Sequence, residues 1–135
     1  MLTAIKKTVL VIDDDADFQD LLTDILEHEG YEVDKTGSMA GAYTHLQEHK
    51  PDLVILDICL PDGDGLEFCR QLTSDERTSE VPVLLLSGRT GLETRVRGFL
   101  NGAMKYITKP FDMDYLIETV GALSHRASAK SLTVS

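Results

Sequence analysis

Three four-residue runs, Val9-Leu-Val-Ile12, Leu53-Val-Ile-Leu56 and Val83-Leu-Leu-Leu86, are wholly apolar, and each stops on a polar side chain. None alternates with polar residues and all are short, which fits strands buried on both faces rather than amphipathic helices. Strands covered on both faces need layers above and below them, which demands helices between the strands and a parallel sheet. The second run is the sharpest. It ends on Asp57 and breaks into Ile-Cys-Leu-Pro-Asp-Gly-Asp-Gly65, where Pro61, Gly63 and Gly65 let the chain turn away without crowding the carboxylate.

The intervening segments supply the helices. Phe18, Leu21, Leu22, Ile25 and Leu26 recur at helical spacing, and Gly30 stands where a left-handed cap would follow. Tyr31 to Lys35 alternates and predicts a more exposed strand at a sheet edge. Met39, Ala42, Tyr43 and Leu46 mark a second helix capped by Ser38. A third helix carries Leu66, Cys69 and Leu72, and the polar run Thr73 to Glu80 reads as a surface loop. Leu92, Val96, Phe99 and Leu100 form a fourth helix, stopped by Asn101-Gly102. A last strand lies around Lys105-Tyr-Ile107 and runs into Thr108-Lys109-Pro110. Asp112 caps a fifth helix with Met113, Leu116, Ile117, Val120 and Leu123 inward. The pattern predicts one domain over residues 1–125 and a flexible tail over 126–135, where periodicity is lost.

Composition removes several function classes. With 23 acidic and 13 basic residues the net charge is −10, which disfavours direct binding to nucleic acid or to an anionic membrane. No apolar stretch approaches the ~20 residues of a membrane span, and the N-terminal charges follow the apolar residues, the reverse of a secretion signal, so the expected location is cytoplasmic. Cys59 and Cys69 read as reduced thiols rather than a disulfide framework. The four histidines, His28, His45, His49 and His125, read as solvated, and Asp15, Asp62 and Asp64 as helix-start and turn acids.

In a parallel α/β sheet, ligands bind beyond the carboxyl ends of the strands. The strand ends here carry Asp13-Asp14, Asp57, Ser87 and Lys109, so one pocket can hold three carboxylates, a hydroxyl and an ammonium. At ~4 Å each carboxylate pair repels by about 4 kcal/mol at an effective dielectric near 20. Lys109 offsets part of this, and an all-oxygen acidic site suits Mg²⁺, which favours carboxylate and phosphate oxygens. A carboxylate can act as the nucleophile in phosphoryl transfer. Asp57, the only acid at its strand end, is the candidate.

Val9-Leu-Val-Ile-Asp-Asp-Asp15, Leu56-Asp-Ile-Cys-Leu-Pro-Asp-Gly-Asp-Gly65, Leu86-Ser-Gly88 and Gly102-Ala-Met-Lys-Tyr-Ile-Thr-Lys-Pro-Phe111 together resemble the receiver domain of two-component response regulators, chemotaxis regulators included, across roughly residues 7 to 125. The resemblance implies a flavodoxin-like (βα)5 fold, a doubly wound parallel five-stranded sheet of order 2-1-3-4-5. It implies that Asp57 accepts phosphate from a sensor histidine kinase or phosphotransfer protein, as a signalling phosphoacceptor rather than an enzyme. Mg²⁺ would be held by Asp13, Asp14, Asp57 and the backbone carbonyl of Cys59, with Lys109 on the phosphoryl oxygens. Ser87 would hydrogen-bond the phosphoryl group, Tyr106 would be the aromatic that changes rotamer, and Lys109-Pro110 would be cis. The surface of the fourth helix, last strand and fifth helix would signal to an output partner that the sequence does not name.

The main alternative is a Mg²⁺-dependent phosphatase with an aspartyl nucleophile, which would share the carboxylates and the lysine. Dehalogenase-type enzymes of that kind need an acid two residues after the nucleophile, and this chain has Cys59 there. Met104-Lys105 stands where winged-helix regulators carry acidic residues for pairing between chains. A monomer or weak dimer is therefore expected.

Overall fold

In a computed structural model, residues 6–89 and 91–126 are described. Five strands alternate with five helices: β1 (Thr8–Ile12), α1 (Ala16–His28), β2 (Glu32–Thr36), α2 (Met39–Glu48), β3 (Leu53–Leu56), α3 (Gly65–Ser74), β4 (Val83–Ser87), α4 (Leu92–Leu100), β5 (Lys105–Thr108) and α5 (Met113–Ser124). A two-residue antiparallel pairing of Cys59–Leu60 with Gly63–Asp64 folds the loop between β3 and α3. The strands form one parallel sheet in the order β2-β1-β3-β4-β5. This is the flavodoxin-like arrangement, with β2 at the edge.

The apolar runs are continuous because alternate residues feed two separate cores. Leu10, Ile12, Val54, Leu56, Val83 and Leu85 point to one face, where they pack with Ala42 of α2 and Leu66, Phe68, Cys69 and Leu72 of α3. Val9, Val11, Leu53, Ile55, Leu84 and Leu86 point to the other and pack with Leu22, Leu26, Leu116, Val120 and Leu123 of α1 and α5. Each fully buried side chain of this size contributes about 1.5–3 kcal/mol, so both layers hold the sheet rigid. Register places Ile12 beside Leu56, Leu56 beside Leu85 and Ser87 beside Thr108, which brings β1, β3, β4 and β5 out at one rim.

The caps follow the sequence. Asp15, Ser38, Asp64 and Asp112 accept hydrogen bonds from backbone amides of Phe18, Gly41, Leu66 and Tyr115. Asp62 also accepts from the amides of Met39 and Ala40 and so caps α2 from a distant loop, which holds its carboxyl below the usual range. Gly30 is left-handed, with φ +94°.

Several expectations need correction. The segment from Thr73 begins inside α3, and Thr78 is buried and donates to the Leu72 carbonyl at 2.6 Å. Met113 faces outward, 52 % exposed. The four apolar residues of α4 are helical yet all exposed, because the helix seats on the sheet through Gly98. A Cβ there would lie 2.7 Å from Leu85 Cδ1. His45 is half-buried rather than solvated, 3.6 Å from Asp34 and stacked on His49 with ring centroids 4.6 Å apart. Residues 127–135 of the expected tail lie outside the described residues. Among the described residues no helix is long and apolar enough to cross a membrane.

Candidate functional site

Asp13 and Asp57 leave β1 and β3 side by side. Asp13 N–H donates to the Thr36 carbonyl and Asp57 N–H to the Ile12 carbonyl, which fixes where each side chain starts. Lys109 N–H donates in the same way to the Ser87 carbonyl at 2.8 Å, and the Lys109-Pro110 peptide is cis. The lysine ammonium then reaches back across the rim, 2.7 Å from Asp13 Oδ2 and 3.3 Å from Asp57 Oδ2. Oxygens of Asp13, Asp14 and Asp57 lie within 4.8 Å of one another. Asp13 and Asp57 are buried and Asp14 is exposed, so the cluster opens to solvent on one side. Among the described residues, this is the single group of three such side chains close enough to share a cation.

The electrostatics are those of a carboxylate cluster only partly neutralised. Burial raises the pKa of Asp13, and the Lys109 hydrogen bond and the Asp15 amide offset that only in part. Burial alone would lower Lys109; the Asp13 hydrogen bond and the Asp57 charge outweigh it, so its pKa is raised. One ammonium for three carboxylates leaves room for a further cation, and an all-oxygen donor set suits a hard one such as Mg²⁺.

The remaining predicted residues flank this centre. Cys59 donates its backbone N–H to Asp57 Oδ1 at 3.2 Å, its thiol exposed. Ser87 is buried, and its Oγ accepts the Arg89 N–H at 3.4 Å. Tyr106 is also buried, packed into the α3-side core, and its hydroxyl donates to the Arg89 carbonyl at 2.7 Å. Serine and tyrosine are thus joined through the backbone of one residue, Arg89. Gly65 closes the loop under Asp57: a Cβ there would lie 2.6 Å from the Asp57 carbonyl oxygen and from Ile58 Cα.

Two contacts from α1 were also missed. Gln19 Nε2 donates to the Asp13 carbonyl at 2.5 Å, and the Lys109 ammonium lies 3.9 Å from the centre of the Phe18 ring. Phe18 reads from its spacing only as a core residue; a lysine far along the chain leaves no periodic signal. The two cysteines differ chemically. Burial pushes the Cys69 thiol up to about 11, and it donates to the Asn101 carbonyl. Iodoacetamide at pH 8 should therefore alkylate Cys59 in the native protein and Cys69 only after unfolding. Peptide mapping that found both labelled at equal rates would contradict this burial.

The response regulator receiver domain family matches residues 9–121. The chain belongs to that family. The receiver is 38 % identical over 118 residues to the DNA-binding dual master transcriptional regulator RpaA of Synechocystis, covering 87 % of this chain and 49 % of that protein. It is 35 % identical over 122 residues to the phosphate regulon transcriptional regulatory protein PhoB of Escherichia coli, covering 90 % and 53 %. The chain thus spans about half the length of these curated relatives. Among solved structures, a putative response regulator from Chloroflexus aurantiacus superposes with a TM-score of 0.86 at 30 % identity, covering 90 % of this chain and all of that one. Receiver domains are signalling phosphoacceptors, and the acidic pocket at the rim of this receiver is consistent with aspartyl phosphorylation and Mg²⁺.

Proposed function

We propose that this receiver takes a phosphoryl group onto Asp57 from a sensor histidine kinase or phosphotransfer protein and passes the change to an output partner through α4, β5 and α5. The observation that carries this reading is the convergence of Asp13, Asp14, Asp57 and Lys109 at the ends of β1, β3 and β5. Mg²⁺ would be held by Asp13, Asp14, Asp57 and the Cys59 carbonyl, and when bound would neutralise charge on the phosphoryl oxygens. The chain's own groups do the positioning. Asp57 presents a carboxylate oxygen to phosphorus, with its Oδ1 oriented by the Cys59 amide. Lys109 is within reach of the incoming oxygens, and the Ser87 hydroxyl donates to one of them. A free-standing phosphatase is less well supported, because position 59 offers a thiol where that chemistry needs an acid. Intact mass after incubation with acetyl phosphate and Mg²⁺ tests the reading: the wild type gains one phosphoryl group and Asp57→Asn gains none. Equal gain in both would place the modification elsewhere.

Mg²⁺ should stabilise the unphosphorylated protein by relieving repulsion that exists only in the folded pocket. At ten times its dissociation constant the gain is about 1.4 kcal/mol. Thermal melts should show most of this shift lost in Asp14→Asn; an undiminished shift would remove Asp14 from the metal site.

Ser87 and Tyr106 form the switch in this reading. The tyrosine is already inward and tied to the serine side through Arg89, so phosphorylation acts by increasing the population of that arrangement. Ser87→Ala should still accept phosphate on Asp57 and lose the response at Tyr106. Tyrosine-ring NMR on beryllofluoride addition reads this directly, and a full wild-type response in the alanine variant would break the coupling. The receiver is taken as a monomer or weak dimer in the cytoplasm, in keeping with Lys105 exposed on β5 where interchain pairing in winged-helix relatives uses acids. DNA binding, named for RpaA, is not assigned to this acidic domain.

A further inference from the structure

Lys109 ends a flexible four-carbon stem at the edge of the rim, and nothing in its covalent structure keeps its ammonium over the carboxylates. Two oxygens attract it, and the closer one belongs to Asp13 at 2.7 Å rather than to Asp57 at 3.3 Å. A third group touches it that is neither acidic nor on a strand end: the Phe18 ring, 3.9 Å from the ammonium to its centroid. The face of an aromatic ring attracts a cation and, unlike a carboxylate, supplies no competing charge, so oxygens arriving at the site can still recruit the ammonium's three donors.

The ring is itself fixed. It meets Phe111 edge to face at 5.8 Å and 84°, and Phe111 follows the Lys109-Pro110 peptide directly. Its backbone N–H is held by the Asp15 cap at 3.1 Å, and the adjacent Gln19 binds the Asp13 carbonyl. The first turn of α1 is therefore tied both to the strand that carries Asp13 and to the segment that carries Lys109. A packing role alone would account for the contact with Phe111 but would be indifferent to the charge beside the ring.

We propose that Phe18 is a positioning residue for Lys109, its ring face holding the ammonium between Asp13 and Asp57, so that the first turn of α1 sets where this cation meets a phosphoryl group. The role at phosphorylation rests on Asp57 being the acceptor; the ring contact does not.

Fluorination of the ring separates the two. Mono-, di- and trifluorinated phenylalanine at position 18 keep the shape of the ring while withdrawing electron density from its face. Folding stability by denaturant titration should fall stepwise along this series in the otherwise wild-type protein and stay level in a Lys109→Met background. Beryllofluoride affinity in Mg²⁺ should weaken stepwise, by about fivefold at the trifluorinated ring. Phe18→Leu should match that endpoint and Phe18→Tyr should stay near wild type. Equal slopes in the lysine and methionine backgrounds would reduce Phe18 to packing and overturn the proposal. A stepwise stability loss specific to lysine, in a wild-type protein that takes up no beryllofluoride, would leave the contact standing and overturn the acceptor reading and the positioning role together.

Discussion

Gly65→Ala should cost about 3 kcal/mol of stability, the upper part of the range for forcing extra atoms into a packed region, and, with Asp57 as the proposed acceptor, should abolish labelling by acetyl phosphate. The added Cβ would lie 2.6 Å from the Asp57 carbonyl oxygen and Ile58 Cα and 2.7 Å from the Ile58 carbonyl oxygen. All three are backbone atoms, so no side chain can swing aside. Relief requires moving the segment that carries Asp57 and the Cys59 amide, and Gly65 N–H must also give up or stretch its hydrogen bond to the Ile58 carbonyl. Gly88→Ala is the matched control, since a Cβ there meets nothing within 4 Å. Denaturant melts and acetyl phosphate labelling of both variants test this; a Gly65→Ala protein of wild-type stability and labelling would show that the loop yields freely.

Lys109→Met should destabilise the metal-free protein by about 2–3 kcal/mol. Breaking a buried ion pair costs 3–5 kcal/mol because a charge is left unpaired, and the partial exposure of Lys109, 21 % at its side chain, brings the figure below that range. The sign of the pH response follows from Asp13. Its pKa is raised in the folded protein, so ionising it opposes folding: the favourable contribution is complete below its ordinary value of 3.8 and is lost as pH rises through the raised one. In the methionine variant this opposition is no longer offset by the ammonium. The stability deficit relative to wild type should therefore narrow as pH falls through the Asp13 transition, and Mg²⁺ at neutral pH should restore more stability to the variant than to the wild type. A deficit that is constant with pH would mean that Lys109 stabilises by packing of its stem and not by charge.

The sheet was legible because burial on both faces leaves a strong trace: Val9 and Val11 serve one core and Leu10 and Ile12 the other, so no polar residue can interrupt the run. The lateral order of the strands was not in that trace. Runs of equal apolarity are interchangeable by pattern, and the order came from the resemblance of the four motifs to receivers. The acidic centre was readable because each of its residues terminates a run. What the pattern hid was contact between elements. Asp62 looks like a turn acid, and only the fold brings it to the start of α2. Phe18 sits at helical spacing with the core residues Leu22 and Leu26, but it is only half-buried and has Lys109 beside it. In α4 the period announces a helix correctly, but a period cannot say which face meets the sheet, and there the small residue won.

That helix seats on the sheet at Gly98, its only buried residue, while Leu92 and Leu100 are largely exposed and Val96 and Phe99 are about half covered. An element with so little apolar area at stake opens and shifts at low free-energy cost compared with α1 or α5. A ligand can displace an equilibrium only by the difference in its affinity for the two states. In the proposed reading, a lightly anchored helix suits a small chemical input such as one covalent anion at the rim, because a helix keyed into the core by several leucines would cost more free energy to displace.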